Sequence, residues 1–560
     1  MLKTIPALLA FLGLSTAHAG DVLIKSGNAT ISATLELPDS GKERLPAVLV
    51  FDIYTDPATL ARQAKEIGAR GFAAVIADVR GKRLSPDPIA PYEHVAEDAR
   101  AVIEWIAEQP WSNGKVGMIG GSYSGYTAWA AAKKKPRALK GIAVSAAAIP
   151  GQGLPMYNNV FLTANYPWVF FVTNNKLLDD AVYGDAARWG KLPREWFFSG
   201  RPYREIDAID GTPNPWLQKW LQHPSYDEYW QSMVPFRKDF ARIDMPVLTI
   251  TGYYDDGQIS AVQYMRDHLT HRPKAEHYLV IGPYDHFGTH APVKTETFRN
   301  YTIDASAQFD SLKLKLDFMD YVLKGAPKPA MLRDRVNYQV MGADEWRAAP
   351  SLAAMNRPQR LYLTTRNREG TMPLVDRPPH EPGCAVHEVD LADRVKFHNF
   401  HSYPNPIVQG PLQYVTELIY ESAPFPDGTT LSGAFEGSLL TRINKRDFDY
   451  GVSVFEAMEG GKLFHLGYAL NRASYATDGT RRKLLRPGEL APLPFKTTLV
   501  SRKMKAGSRL LVLVDAVKHP LGQTNYGTGK DVSDESIKDA GAPLRIEWCA
   551  GSYVDVPVDR

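Results

Sequence analysis

Residues 115–126, KVGMIGGSYSGY, dictate a strand that breaks at a glycine-flanked serine and restarts as a helix. Val116, Met118 and Ile119 read as buried strand, and Thr127 to Lys135 (TAWAAAKKK) read as the helix that follows. A serine at such a junction sits on a tight, strained turn with its hydroxyl exposed and a helix N-terminus behind it, the geometry of a nucleophile elbow. The spacing departs from the usual G-x-S-x-G. Gly120 lies two before Ser122, but Ser124 stands two after it and the glycine arrives at Gly125. The competing reading is a plain Gly/Ser turn, so the rest of the chain has to supply the partners a nucleophile needs.

The surrounding segments repeat the strand–helix alternation. Pro46–Phe51 (PAVLVF) and Gly71–Asp78 (GFAAVIAD) are continuous apolar strands, with a helix over Asp56–Gly68 between them that opens on Asp-Pro. A helix over 95–109 carries Val95, Ala99, Val102, Ile103 and Ile106 on one face and stops at Pro110. Strands at 115–120 and 139–145 (LKGIAVS) continue the series, and Asp21–Leu37 suits an edge hairpin. Fully apolar strands alternating with helices predict a mostly parallel sheet covered on both faces, an α/β fold.

From Ala146 to Ile243 the rhythm gives way to irregular helices dense in tryptophan and phenylalanine, an insertion whose aromatics form mainly a local core while a minority line a pocket. The sheet resumes at Pro246–Gly252 (PVLTITG) and His277–Gly282 (HYLVIG), and a helix over Phe309–Leu323 closes it before Gly325. Beyond Pro329, short alternating runs such as VNYQVM, RLYLTT, LTRINK and SRLLVLVDA are split by Gly, Pro, Asp and Asn, the pattern of a β-sandwich or jelly roll. The reading is therefore a first α/β part over 20–145, an inserted cap over 146–243, a second α/β part over 244–330 and an all-β domain over 331–560. A chain of 560 residues needs several cores of this kind.

Lys3, the apolar run Ile5–Leu14 and the small residues around Ala17-His18-Ala19 have the order of a secretory signal peptide, cleaved near Ala19. The run is too short to span a bilayer and no later apolar segment is long enough, so the expected location is periplasmic or secreted, with no membrane span. Net charge is +3 from 65 basic and 62 acidic residues, interspersed, which gives no footprint for nucleic acid. The two cysteines, Cys384 and Cys549, are too few for a structural zinc site. In an exported chain they read as a disulfide closing a long loop, the alternative being two unrelated thiols.

A nucleophilic serine on a fold of this kind needs an acid and then a histidine, in that chain order, each in a loop after a strand's carboxyl end. Strand 246–252 runs into Tyr253-Tyr254-Asp255-Asp256-Gly257, and strand 277–282 into Pro283-Tyr284-Asp285-His286-Phe287-Gly288. His286 is the candidate base, better placed than His277 inside the strand or His290 further along the loop. Asp255 is preferred to Asp256 as the orienting acid, and Asp285 is set aside because adjacent side chains diverge.

Taken together, VRGKRLS at 79–85, AVIEWIAEQPWSNGKVGMIGGSYSGY at 101–126, GYYDDG at 252–257 and GPYDHFG at 282–288 resemble the CocE/NonD hydrolases, the cocaine esterase and X-Pro dipeptidyl-peptidase family. The family's elbow is G-x-S-Y-x-G, matched by Gly120, Ser122, Tyr123 and Gly125, so the late glycine is a family feature. Its G-W-x-D and G-P-W-x-H segments match here with tyrosine (Tyr253 and Tyr284) in place of tryptophan. The resemblance implies an α/β-hydrolase domain with an inserted helical cap and a C-terminal jelly roll. It also implies an oxyanion hole from the Tyr123 backbone N–H and a tyrosine hydroxyl, at Tyr54 here, although the proline that usually precedes that tyrosine is missing.

The expected chemistry is acyl transfer from a small-molecule ester or amide, with no metal or organic cofactor required. An esterase is favoured. An α-amino-acid ester hydrolase, β-lactam acylase or dipeptidyl peptidase would need acids to hold a substrate ammonium, and Gly257 and Gln258 stand where such acids cluster. A glycan-binding protein on an inactive hydrolase scaffold has no use for all three of Ser122, Asp255 and His286. A homo-oligomer is left open.

Overall fold

The apolar runs become neighbouring strands of one ten-stranded sheet in the computed structural model, which describes residues 19–559 apart from 39–42, 291–295, 367–369, 381–382, 398–404, 413–415 and 427. The leader expected over 1–19 lies outside the described residues except for Ala19, the first residue of strand β1 (Ala19–Ser26). β1 pairs antiparallel with β2 (Ala29–Glu36) at one edge. The parallel body follows: β3 (Leu45–Asp52), β4 (Ala73–Asp78), β5 (Ser112–Gly121) and β6 (Leu139–Ser145). Helices α1 (Pro57–Gly68), α2 (Val95–Glu108) and α3 (Tyr123–Lys134) make the crossovers. Asp56 caps α1 by accepting the Thr59 N–H, with Pro57 at the first helical position. β3 and β4 are buried along their whole length, as strands between two helical layers must be.

The cap enters after β6. It holds a small hairpin, β7 (Met156–Tyr157) with β8 (Val160–Phe161), and the short helices α4 (Asn165–Thr173), α5 (Asp180–Tyr183), α6 (Ala186–Ser199), α7 (Ile206–Asp210), α8 (Pro215–Trp220) and α9 (Glu228–Gln231). Tyr166, Trp196, Trp220 and Trp230 are buried here and share one apolar core with the sheet beneath. The sheet then resumes with β9 (Val247–Gly252), helix α10 (Gln258–His271) and β10 (His277–Gly282). A hairpin of β11 (Thr297–Phe298) and β12 (Tyr301–Thr302) precedes helix α11 (Ser311–Met319).

One boundary differs from the sequence reading. The VNYQVM run, expected in the all-β domain over 331–560, forms β13 (Val336–Val340), which pairs parallel with β10 and so extends the first sheet. β14 (Glu345–Ala349) closes that edge antiparallel to it. A short apolar strand carries no mark of which sheet it will join, and β13 is buried along its whole length, its Val336, Tyr338 and Val340 clustering with apolar residues of β10 and of the jelly roll. The jelly roll begins with Asn356–Leu363, whose antiparallel partner is the last strand, Tyr553–Asp559. Cys384 and Cys549 face each other across two of its antiparallel strands and are bonded, closing a loop of 165 residues. In chain-entropy terms a loop of that length restricts the unfolded state by up to about 5 kcal/mol. Among the described residues no helix is long and apolar enough to cross a membrane.

The jelly roll grips the loop that follows β9. Gln258 Nε2 donates to the Leu499 carbonyl at 3.1 Å while the Leu499 N–H donates to Gln258 Oε1 at 2.6 Å. The Tyr254 hydroxyl donates to the carbonyl of His465 at 3.0 Å.

Candidate active site

β5 ends and α3 begins at Ser122, whose backbone is held at φ 55° and ψ −116°. A serine in that region is strained, and strain of this kind persists only where the surroundings over-determine it. The Ser122 N–H donates to the Ser145 carbonyl at 2.9 Å, and its own carbonyl accepts the Tyr126 N–H at 3.0 Å. The glycines are needed because the turn is crowded. A Cβ on Gly120 would stand 2.5 Å from Ser124 Cβ, and one on Gly125 would stand 2.8 Å from Ala147 Cβ. Position 125 is thus where α3 presses on the chain leaving β6, while Ser124 keeps a side chain that hydrogen-bonds the buried Asp52 carboxyl. The late glycine of the motif follows from that contact.

Ser122, Tyr54, Tyr123 and His286 line one cavity of about 740 Å³, walled on the cap side by Trp168 and Phe171. Asp255 lies behind His286, 2% exposed. Its Oδ1 is 2.9 Å from His286 Nδ1 and also accepts the Gly257 N–H, and its Oδ2 accepts the Thr251 hydroxyl at 2.7 Å. Asp256 also reaches the ring, with Oδ1 3.1 Å from His286 Nδ1, but its side chain is 40% exposed and lines the cavity. Burial alone would push the His286 imidazole down; the Asp256 and Asp255 carboxylates overcome it and hold the ring well above the ordinary histidine value. Asp285 turns away and accepts the Gly288 N–H, and His277 is buried in β10 against Thr249 and His268.

Tyr54 follows β3. Asp52 Oδ1 accepts the backbone N–H groups of Ile53 and Tyr54, which fixes the loop without the missing proline. Trp168 Nε1–H donates to the Tyr54 hydroxyl oxygen at 3.0 Å, which leaves the phenol's own proton to donate elsewhere; the Ser122 side chain interacts with the same hydroxyl. Burial raises the phenol far above its ordinary range, so Tyr54 keeps that proton throughout neutral pH. Tyr123 is the first residue of α3, and its N–H therefore has no partner within the helix. The Tyr54 hydroxyl and the Tyr123 N–H are thus two donors on the cavity that Ser122 lines.

Asp255, Asp256 and His286 also bring three donor atoms within 4.8 Å of one another, which is a spacing a divalent cation accepts. Nδ1 is already committed to Asp255, and a serine stands on the same cavity wall, which suits a histidine–carboxylate pair better than a metal cage.

Sequence reasoning weighed Asp256 only as the alternative to Asp255, and it missed two further participants, Trp168 beside Tyr54 and Lys315 on the cavity. The closeness of Asp256 to the ring depends on the turn after β9, which spacing does not encode. Trp168 could be counted among the cap aromatics but not matched to Tyr54. Lys315, 4% exposed on α11 and lining the cavity, had a visible signal: a lysine on the apolar face of LKLKLDFM.

Two family profiles match the chain: X-Pro dipeptidyl-peptidase (S15 family) over residues 27–288, and the X-Pro dipeptidyl-peptidase C-terminal non-catalytic domain over 330–541. The cocaine esterase of Rhodococcus sp. is 25% identical over 518 residues, covering 87% of this chain and 88% of that one. The chain belongs to the CocE/NonD family of serine hydrolases. Solved relatives agree in fold along the entire hydrolase. An aminopeptidase from a marine sediment Thaumarchaeota archaeon superposes with TM-score 0.79 at 18% identity, covering 100% of this chain and 99% of its own. An α-amino acid ester hydrolase superposes with TM-score 0.73 at 21% identity, covering 99% of each chain.

Proposed function

We propose that this serine hydrolase is an exported esterase that cleaves small-molecule esters, and some amides, through an acyl-enzyme on Ser122. The observation that carries the reading is the hydrogen bond to the buried Asp255 from His286, which lines the same cavity as a strained, over-determined serine. His286 takes the Ser122 proton as the hydroxyl attacks the carbonyl, and Asp255 holds Nδ1–H so that Nε2 faces the serine. Charge then gathers on the carbonyl oxygen, where the Tyr54 hydroxyl and the Tyr123 N–H donate to it. The intermediate collapses, the alcohol leaves with the proton from His286, and a water repeats the sequence to free the acid. Export is supported by the charged, apolar and small-residue order of residues 3–19 and by the cysteine pair.

A second reading has a specific observation behind it: the carboxylates of Asp180 and Asp256 both line the cavity and could hold a substrate ammonium. The names of two structural relatives, aminopeptidase and α-amino acid ester hydrolase, are in keeping with it. Rates on short-chain p-nitrophenyl esters, aminoacyl p-nitroanilides and ampicillin separate the two, and activity confined to the amine-bearing substrates would reverse the preference. A fluorophosphonate probe is expected to label the folded protein at Ser122, with EDTA making no difference; absence of labelling would remove the serine mechanism altogether.

Tyr54→Phe removes one oxyanion donor and leaves the ring in place. It is expected to lower kcat by about 10²–10³ with little change in KM. A KM effect alone would make Tyr54 a wall of the pocket and no more.

A further inference from the structure

Behind the elbow, three residues outside the Ser122, His286 and Asp255 set meet at one oxygen. Lys315 Nζ lies 2.8 Å from Ser145 Oγ, and His290 Nδ1 lies 2.8 Å from the same atom. They come from α11, from the end of β6 and from the loop after β10. The cluster touches both halves of the catalytic machinery. Ser145 is the register partner of Gly121 and its carbonyl accepts the Ser122 N–H. His290 packs on Gly121, where a Cβ would come within 2.3 Å of Nδ1, and its ring meets that of His286 edge-on with centroids 4.9 Å apart.

Counting protons gives the cluster two arrangements, because a hydroxyl donates only once. A charged Lys315 can only donate, so Ser145 Oγ accepts from it and donates onward to His290 Nδ1; the ring proton is then on Nε2. A neutral Lys315 keeps two N–H bonds but also offers a lone pair, which permits the Ser145 hydroxyl to turn to it and accept from His290 Nδ1–H; Nε2 is then an acceptor. Thr289 favours the second state, since its hydroxyl proton is spent on the His286 carbonyl at 2.7 Å and toward His290 Nδ1, 3.2 Å away, it can only accept. Passing from the first state to the second moves one proton from Nζ to Oγ, one from Oγ to Nδ1 and one from Nε2 to water. The net change is the loss of one proton.

We propose that Lys315, Ser145 and His290 form a reversible hydrogen-bond chain that sets which ring nitrogen of His290 carries its proton beside His286, and are thereby positioning residues for the base. This rests on His286 being the base, as proposed above. Burial pushes the Lys315 ammonium down to about 7, so both states are populated near neutral pH. Burial, with the positive charge of His286 and Lys315 beside it, holds His290 well below the ordinary histidine value, so its ring stays neutral in both. The other ionisable groups facing the chain are Asp310, which caps α11 and favours the charged lysine, and Glu66 and Asp52 on the same cavity. A charged Lys315 opposes the imidazolium that His286 becomes during acyl transfer, so activity should gain from its neutralisation.

The test uses the full-length protein labelled with ¹⁵N-histidine. Long-range ¹H–¹⁵N correlations of His290, assigned by the signal lost in His290→Gln, are followed between about pH 6 and 9. The wild type is expected to pass from the Nε2–H to the Nδ1–H tautomer as pH rises through about 7. Lys315→Met and Ser145→Ala, which interrupt the chain at different atoms, should each hold one tautomer across the range, and Lys315→Met should also remove one ionisation from the kcat/KM profile. An unchanging tautomer in the wild type, or the same transition in Lys315→Met, overturns the chain. A lost transition with an unaltered kcat/KM profile overturns its action on the base. Because the tautomer is read without turnover, a failure of the His286 assignment would register separately, as activity surviving His286→Ala.

Discussion

Ser122→Ala is expected to reduce kcat on p-nitrophenyl esters by about 10⁴–10⁶-fold, to the level that the oxyanion donors and substrate binding alone sustain. The fold should tolerate the change. The left-handed backbone at Ser122 is imposed by the Ser145 carbonyl, by the start of α3 and by the crowding at Gly120 and Gly125, none of which involves the hydroxyl. Thermal unfolding should therefore stay within a few degrees of wild type, since no buried packing is removed. A variant that keeps its burst of p-nitrophenol would show that the acyl group is carried elsewhere. Loss of activity together with loss of the folded state would leave the phosphonylation of Ser122 by fluorophosphonate in the wild type as the deciding measurement.

The second large effect separates two adjacent carboxylates. Asp255→Asn should lower kcat by about 10³–10⁴, because an amide at Oδ1 no longer fixes the Nδ1–H tautomer of His286. Asp256→Asn should do something different. Both carboxylates raise the imidazole, and a raised histidine is protonated, hence inactive as a base, until the pH climbs through its elevated value. Removing the charge of Asp256 lowers that value, so the acid limb of kcat/KM moves to lower pH and the plateau stays near wild type. At acid pH the variant should outperform the wild type. The opposite pattern, a collapse at Asp256 and a mere shift at Asp255, would exchange the two roles.

Features that rest on local pattern were readable from the residues. Continuous apolar runs such as PAVLVF and GFAAVIAD can only be strands buried on both faces, and both sit fully buried in the sheet. The loops after β9 and β10 follow from those strands, and with them the neighbourhood of Asp255 and His286. What escaped were properties of three-dimensional turns and of long-range pairing. Asp255 and Asp256 differ by which carboxylate the turn buries, 2.9 Å against 3.1 Å from the same nitrogen. VNYQVM has the same alternation in either sheet and is claimed by the parallel one because β10 is left with an open edge. Lys315 needed a partner more than 150 positions away, Ser145, before its burial had any meaning.

The contacts between the loop after β9 and the jelly roll have a bearing on how this hydrolase could be cut down or rebuilt. Gln258 and Tyr254, on either side of the acidic pair, are fastened to Leu499 and to His465, far along the chain. A fragment ending after β14 would keep every residue assigned to catalysis and the whole first sheet, yet the tether on Asp255 and Asp256 would be gone. None of the residues assigned to catalysis lies in the C-terminal domain, which instead is a splint for the acid. A truncated enzyme would pay in the geometry of its base before it paid in solubility, and a grafted substitute would have to restore two carbonyls and one N–H to the right places.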